Sequence, residues 1–162
     1  EEMALADLSS ILWRERELLE QLLFKLEEEQ LVLAANRTRW LAHATREVEV
    51  VLDQIKQTEV IRAAEVDAVG SQLGLSPNAS LADLADAAPA PWNELLRQHR
   101  TAFLTLTAEI QALARVNREL LTAGQRAVRE SVLAMAGSVQ TYGRRGETVS
   151  SGARTRLVDE AI

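Results

Sequence analysis

The chain has 162 residues, 47% of them apolar and 26% charged, with 24 acidic against 18 basic side chains and no cysteine. That is enough for one domain and too little for two ordinary ones, and the net charge of −6 argues against nucleic acid or an anionic membrane surface as the main partner, because phosphate binding needs a basic face. Without cysteine there is no disulfide framework and no thiolate metal site. No apolar run approaches the roughly 20 residues of a membrane span, so no membrane insertion is expected. Ala, Leu, Glu, Arg and Gln dominate, and only seven glycines and three prolines punctuate them, which predicts an all-α protein. The start, EEMALADLSS, lacks the basic region and apolar block of a signal peptide, and a cytoplasmic location is the expectation.

The first helix is predicted from about Asp7 to Ala35. Leu5, Leu8, Leu12, Leu19, Leu22, Leu26 and Leu33 fall in one series of three- and four-residue steps, and Leu18, Leu23 and Leu31 broaden it. Glu15 and Glu29 interrupt that stripe, while Arg14, Glu17, Glu20, Glu27 and Glu28 mark the opposite, solvated face. The pattern is an amphipathic helix with a coiled-coil-like seam. At AANRTRW the periodicity resets, with Asn36 suited to a cap between helices.

A second helix is predicted from about Arg37 to Leu73, antiparallel to the first because the connection is short. Its stripe is Leu41, Ala44, Val48, Val51, Leu52 and Ile55, then Ala63, Val66, Val69 and Leu73, with a register shift expected where Glu59 and Arg62 bring charge into it. Gly74 can end this helix in a left-handed turn. Ser80 with Asp83 resembles a capping box that opens a short helix through about Ala87, and Pro89 and Pro91 end it.

The third long helix is predicted from about Pro91 to Tyr142. Leu96, Phe103, Leu106, Ile110, Leu113 and Leu120 form one seam, with His99, Asn117 and Gly124 in the same series. Asn117 there reads either as a polar register-setter or as a direct hydrogen-bond donor to helix one or two. After Gly124 a second series takes over: Leu121, Val128, Val132, Met135, Val139 and Tyr142, offset by about one residue, roughly 100° around the helix. The last third should therefore turn its apolar stripe elsewhere, or kink near Gly124. From Gly143 onward Gly, Ser, Thr and Arg dominate and a flexible tail is expected. The expected architecture is an antiparallel bundle of three long coiled-coil-like helices and one short connecting helix, a single domain over residues 1–142 with a tail over 143–162.

Catalytic chemistry finds no support. A di-iron bundle needs Glu-x-x-His on two helices, but Trp40 and Leu96 stand three residues before His43 and His99, the only histidines. Glu27, Glu28 and Glu29 are adjacent, so their carboxylates point about 100° apart and do not converge. No enzyme activity, cofactor or metal is expected. The Val128–Val139 stripe reads either as ordinary core or as a binding surface, because a third helix near 50 residues overhangs two partners that are much shorter.

The motif order ILWRERELLEQLLFKLEEEQLVL, EVEVVLDQI, LGLSPNASLADLA, EIQALARVNRELL and TYGRRG resembles the flagellar type III export chaperones of the FlgN type, over about Leu8 to Gly146. The resemblance implies a non-enzymatic cytoplasmic chaperone that binds the C-terminal helical segments of hook–filament junction proteins, prevents their premature assembly and delivers them to the export gate. It also implies that Val128, Val132, Met135 and Val139 contact the exported subunit, with Leu121 at the head of their series. Tyr142, in TYGRRG, is similar to a tyrosine used toward the export gate. A structural coiled coil or self-associating adaptor is the alternative.

Overall fold

The computed structural model describes residues 1–135, and within them the chain forms α1 (Glu2–Ala34), α2 (Thr38–Gln72), α3 (Leu81–Ala87) and α4 (Trp92–Met135). Val139, Tyr142 and the tail 143–162 lie outside the described residues. The all-α class holds. α1 starts five residues before the predicted Asp7, because Leu5 is fully buried and draws the preceding turn into the helix.

α1 is the middle wall of the bundle. Leu5, Leu8, Leu12, Leu18, Leu19, Leu22 and Leu26 are all buried, serving the α2 side and the α4 side together. Leu31 does not extend that stripe and stands exposed. Cross-helix pairs give the directions. Glu15 meets Arg62, Lys25 meets Glu47 and Glu29 meets Thr45, so α2 descends as α1 rises. Ser9 meets His99 and Leu26 meets Asn117, so α4 rises with α1. Both partners pack along α1 and far less on one another.

Both ends of the α1–α2 hairpin close by the same backbone device. Asn36 sits at φ 54° and Gly74 at φ 76°, the left-handed region. At the first, the Asn36 N–H donates to the Leu33 carbonyl at 3.1 Å and the Arg37 N–H to that of Val32 at 3.0 Å; at the second, Gly74 donates to Ser71 at 3.1 Å and Leu75 to Gly70 at 2.8 Å. These are Schellman closures, which satisfy the last carbonyls of a helix. Asn36 therefore ends α1 and does not cap α2, a role its tolerance of the left-handed region allows. The capping box at Ser80 is complete: its Oγ accepts from the Asp83 N–H at 3.2 Å, and the Ser80 N–H donates to Asp83 Oδ2 at 3.0 Å. It starts α3, whose Leu81, Leu84 and Ala85 pack chiefly against α4.

The α2 seam does not shift register. Ala44, Val48, Val51, Ile55, Arg62 and Val69 are buried in a continuous three/four series, and Ala63, expected in the stripe, is exposed. Arg62 holds the seam position because it is paired there. Its Nη1 lies 3.0 Å from Glu15 Oε2 and its Nη2 3.2 Å from Glu59 Oε2. Phe103 of α4 closes the group, with its ring centroid 5.4 Å from the guanidinium. Two carboxyls sharing one cation inside a leucine layer cannot both ionise at low cost. Burial, followed by the neighbouring Glu59, pushes the Glu15 carboxyl up to about 9 against the pull of Arg62.

Candidate functional site

The buried face of α4 runs through Leu96, His99, Phe103, Thr107, Ile110, Ala114 and Asn117. Leu106 and Leu113 are only partly buried beside it. The expected seam followed these leucines and so drifted around the helix, whereas the buried line passes through Thr107 and Ala114, in phase with Leu96, Phe103 and Ile110. That difference overturns the expected change of direction. At 100° per residue, Leu121, Val128, Val132 and Met135 fall within an arc of about 60° that coincides with the buried face. Nor does α4 break at Gly124: the helix is continuous to Met135, and a Cβ at Gly124 would meet nothing.

Asn117 is the last buried residue of α4. Its Nδ2 donates to the Leu26 carbonyl at 2.8 Å and to Glu29 Oε1 at 3.0 Å, while Thr45 Oγ1 donates to Glu29 Oε2 at 3.2 Å. This polar layer joins α1, α2 and α4, with Glu29 and Asn117 buried and Thr45 at its edge. Both readings of Asn117 meet here, because the bond to α1 fixes the register. The pairings of Ser9 with His99 and Leu26 with Asn117 place the end of α1 level with roughly Gly124. Beyond it α4 continues alone for about 16 Å.

Every residue from Leu121 to Met135 is exposed. Leu121 is 41% exposed, Val128 62%, Val132 50% and Met135 87%. Leu133, at 60%, lies about 120° away and is not part of the stripe. Four of the five subunit-contacting positions implied by the sequence thus share one exposed apolar line; Val139, like Tyr142, falls outside the described residues. Beside this line runs a feature that apolar periodicity passes over. Arg115-Val116-Asn117-Arg118-Glu119 returns eleven residues later as Arg126-Ala127-Val128-Arg129-Glu130. The repeat, about three turns, stacks Arg118 and Arg129 on one flank of the stripe and Arg115 and Arg126 further toward the back of the helix. An internal comparison of the last helix with itself would have found it.

The polar groups elsewhere are structural. His99 is buried, its Nε2 3.2 Å from Ser9 Oγ and its Nδ1 3.5 Å from Arg16 Nη1. Trp13 lies edge-on at 5.0 Å. Burial, then Arg16, pushes the His99 ring down to about 4, so it is neutral near pH 7. Among the described residues no cluster of His, Asp or Glu could hold a metal ion, and no helix is long and apolar enough to cross a membrane.

The described residues form an all-helical bundle whose longest helix carries its apolar face past its own partners. The chain belongs to the FlgN family: the family model described as FlgN protein matches residues 3–150. This is a chaperone family and not an enzyme family, and the chain is a flagellar export chaperone. No curated protein and no solved structure matches it.

Proposed function

We propose that this chaperone binds the C-terminal helical segments of hook–filament junction proteins in the cytoplasm, along Leu121, Val128, Val132, Met135 and onward through Val139. The observation that carries the reading is the apolar face of α4, which leaves α1 near Gly124 and continues in line, exposed, for three more turns. An amphipathic helix from an unassembled subunit is complementary to such a face, which offers apolar anchors at helical spacing. Met135 adapts to more than one shape of ligand. Covering the segment keeps subunits from assembling early, and release at the export gate then needs no covalent chemistry. Tyr142 is the residue proposed to meet the gate.

Val128→Asp with Val132→Asp tests the surface. Both side chains are at least half exposed, so the fold is expected to survive with its helical circular dichroism unchanged. The double variant should lose co-purification with the junction proteins. Wild-type binding by the folded variant would remove the surface assignment. Tyr142→Ala should leave subunit binding intact and lower export; loss of subunit binding would move Tyr142 from the gate to the subunit. If light scattering shows a stable homodimer that the junction segment does not dissociate, the stripe pairs with itself and the adaptor reading replaces this one.

A further inference from the structure

The arginine flank of α4 says what kind of helix the stripe accepts. Residues 111–135 carry Arg115, Arg118, Arg126 and Arg129 against Glu119 and Glu130, a net +2 in a chain of net charge −6. The charge is also sorted by angle. Arg118 and Arg129 lie about 70–90° from the centre of the stripe, while Arg115 and Arg126 lie about 130–150° round, next to the two glutamates at the back. All four arginines are exposed, and among the described residues none of them forms an ion pair. This is unlike Arg62, Arg97 and Arg14, each of which has a carboxylate in reach. A helix that needed the charges only for solubility would gain from placing Glu four residues before Arg, where the pair supports the helix. Here Glu119 and Glu130 stand four residues after Arg115 and Arg126 and offset those two, while Arg118 and Arg129 have no acidic residue three or four positions away.

We propose that the docking face is selective for an amphipathic helix bearing carboxylates along one flank, read by Arg118 and Arg129. The inference rests on the docking reading above and deepens it. The two reading arginines are eleven residues apart, about 16 Å along the axis, so the partner presents acidic side chains about three turns apart beside its apolar stripe. Apolar contact holds the helix, and the arginines choose its direction and register, which is what charge at the rim of an interface does best. Guanidinium groups suit this role because they engage a carboxylate through two parallel N–H donors. An anionic membrane is the less favoured partner: the helix carries only +2 over 25 residues and the rest of the chain is strongly acidic.

The test uses the full chain and the C-terminal segment of a junction protein encoded in the same genome, in its native form and with its Asp and Glu changed to Asn and Gln. Calorimetric titration should show the native segment binding about tenfold tighter than the neutralised one, with affinity falling as salt is raised. Arg118→Glu with Arg129→Glu should cost about tenfold toward the native segment and little toward the neutralised one, a pattern that a general loss of helix would not give. If the double charge reversal binds the native segment as the wild type does, the selectivity proposal is overturned. The docking reading would still stand wherever Val128→Asp with Val132→Asp loses binding, so the two failures are separable. Co-sedimentation with phosphatidylglycerol vesicles, lost on the charge reversal, would assign the arginines to a lipid surface and also overturn the proposal.

Discussion

Glu15→Gln should abolish a pH dependence built into the middle of the bundle. Glu15 is fully buried against Arg62 and Glu59, and its carboxyl is pushed up to about 9 from the usual 4.5. Between those two values the folded chain holds a proton that the unfolded chain has released, so stability falls as pH rises. The contribution is fully present only below 4.5 and is gone above about 9. His99 works in the opposite sense. Its ring loses its proton near 4 when folded and near 6.5 when unfolded, so its contribution is present above 6.5 and is lost as pH falls through 4. From about 4.5 to 6.5 the two slopes cancel, and above 6.5 Glu15 acts alone. Each pH unit there is worth about 1.4 kcal/mol, so the wild type should lose about 3 kcal/mol between pH 6.5 and 9. Gln keeps the volume and cannot ionise. Urea unfolding followed by far-ultraviolet circular dichroism at a series of pH values reads both curves. The variant should be level over this range and overtake the wild type toward pH 9. Parallel curves would show that Glu15 is ionised beside Arg62 throughout, and the shared-proton account would fall.

Asn117→Ala leaves the Leu26 carbonyl and Glu29 Oε1 without their shared donor in a buried layer, and should cost about 1–3 kcal/mol in urea unfolding. Ser80→Ala breaks the capping box of α3 and should cost about 1 kcal/mol by the same assay, because the Asp83 N–H loses its acceptor. Gly124→Ala places a methyl where nothing obstructs it and should firm the exposed helix by about 0.5–1 kcal/mol. Amide hydrogen exchange over residues 121–135 should slow accordingly, with global stability unchanged, and faster exchange would contradict the continuous helix.

The helix ends were legible because their signals are local: Gly74 and the Ser80–Asp83 pair each act within a few residues. The buried charges were misread because their partners are remote in sequence. Glu15 looks like a flaw in a leucine stripe until Arg62 from the neighbouring helix is set against it, and Arg62 looks like a register shift until Glu15 is. His99 falls on the seam that the sequence predicts, but its partners Ser9, Trp13 and Arg16 all come from α1 and do not show in the local sequence. On α4 the error came from weighting size. Leu106 and Leu113 are more apolar than Thr107 and Ala114, yet only the latter two fall in phase with the buried Leu96, Phe103 and Ile110, and that phase sets the direction of the whole stripe. The exposed positions themselves were readable from helix length alone, while the arginine repeat was hidden by attention to apolar spacing.

The polar layer at Asn117 has a consequence for tolerance. Inside the bundle, one amide bonded to a fixed carbonyl and a fixed carboxylate makes any sliding of α4 along α1 break two buried bonds at once. Past that point the line through Leu121, Val128, Val132 and Met135 contains no such pin, and Gly124 and Ser131 leave shallow places between the ridges. On apolar contact alone a helix laid there could step by a turn, about 5.4 Å, so register on this stretch is left to the charges beside the line. The same helix is thus keyed by a buried bond at one end and carries no internal key at the other.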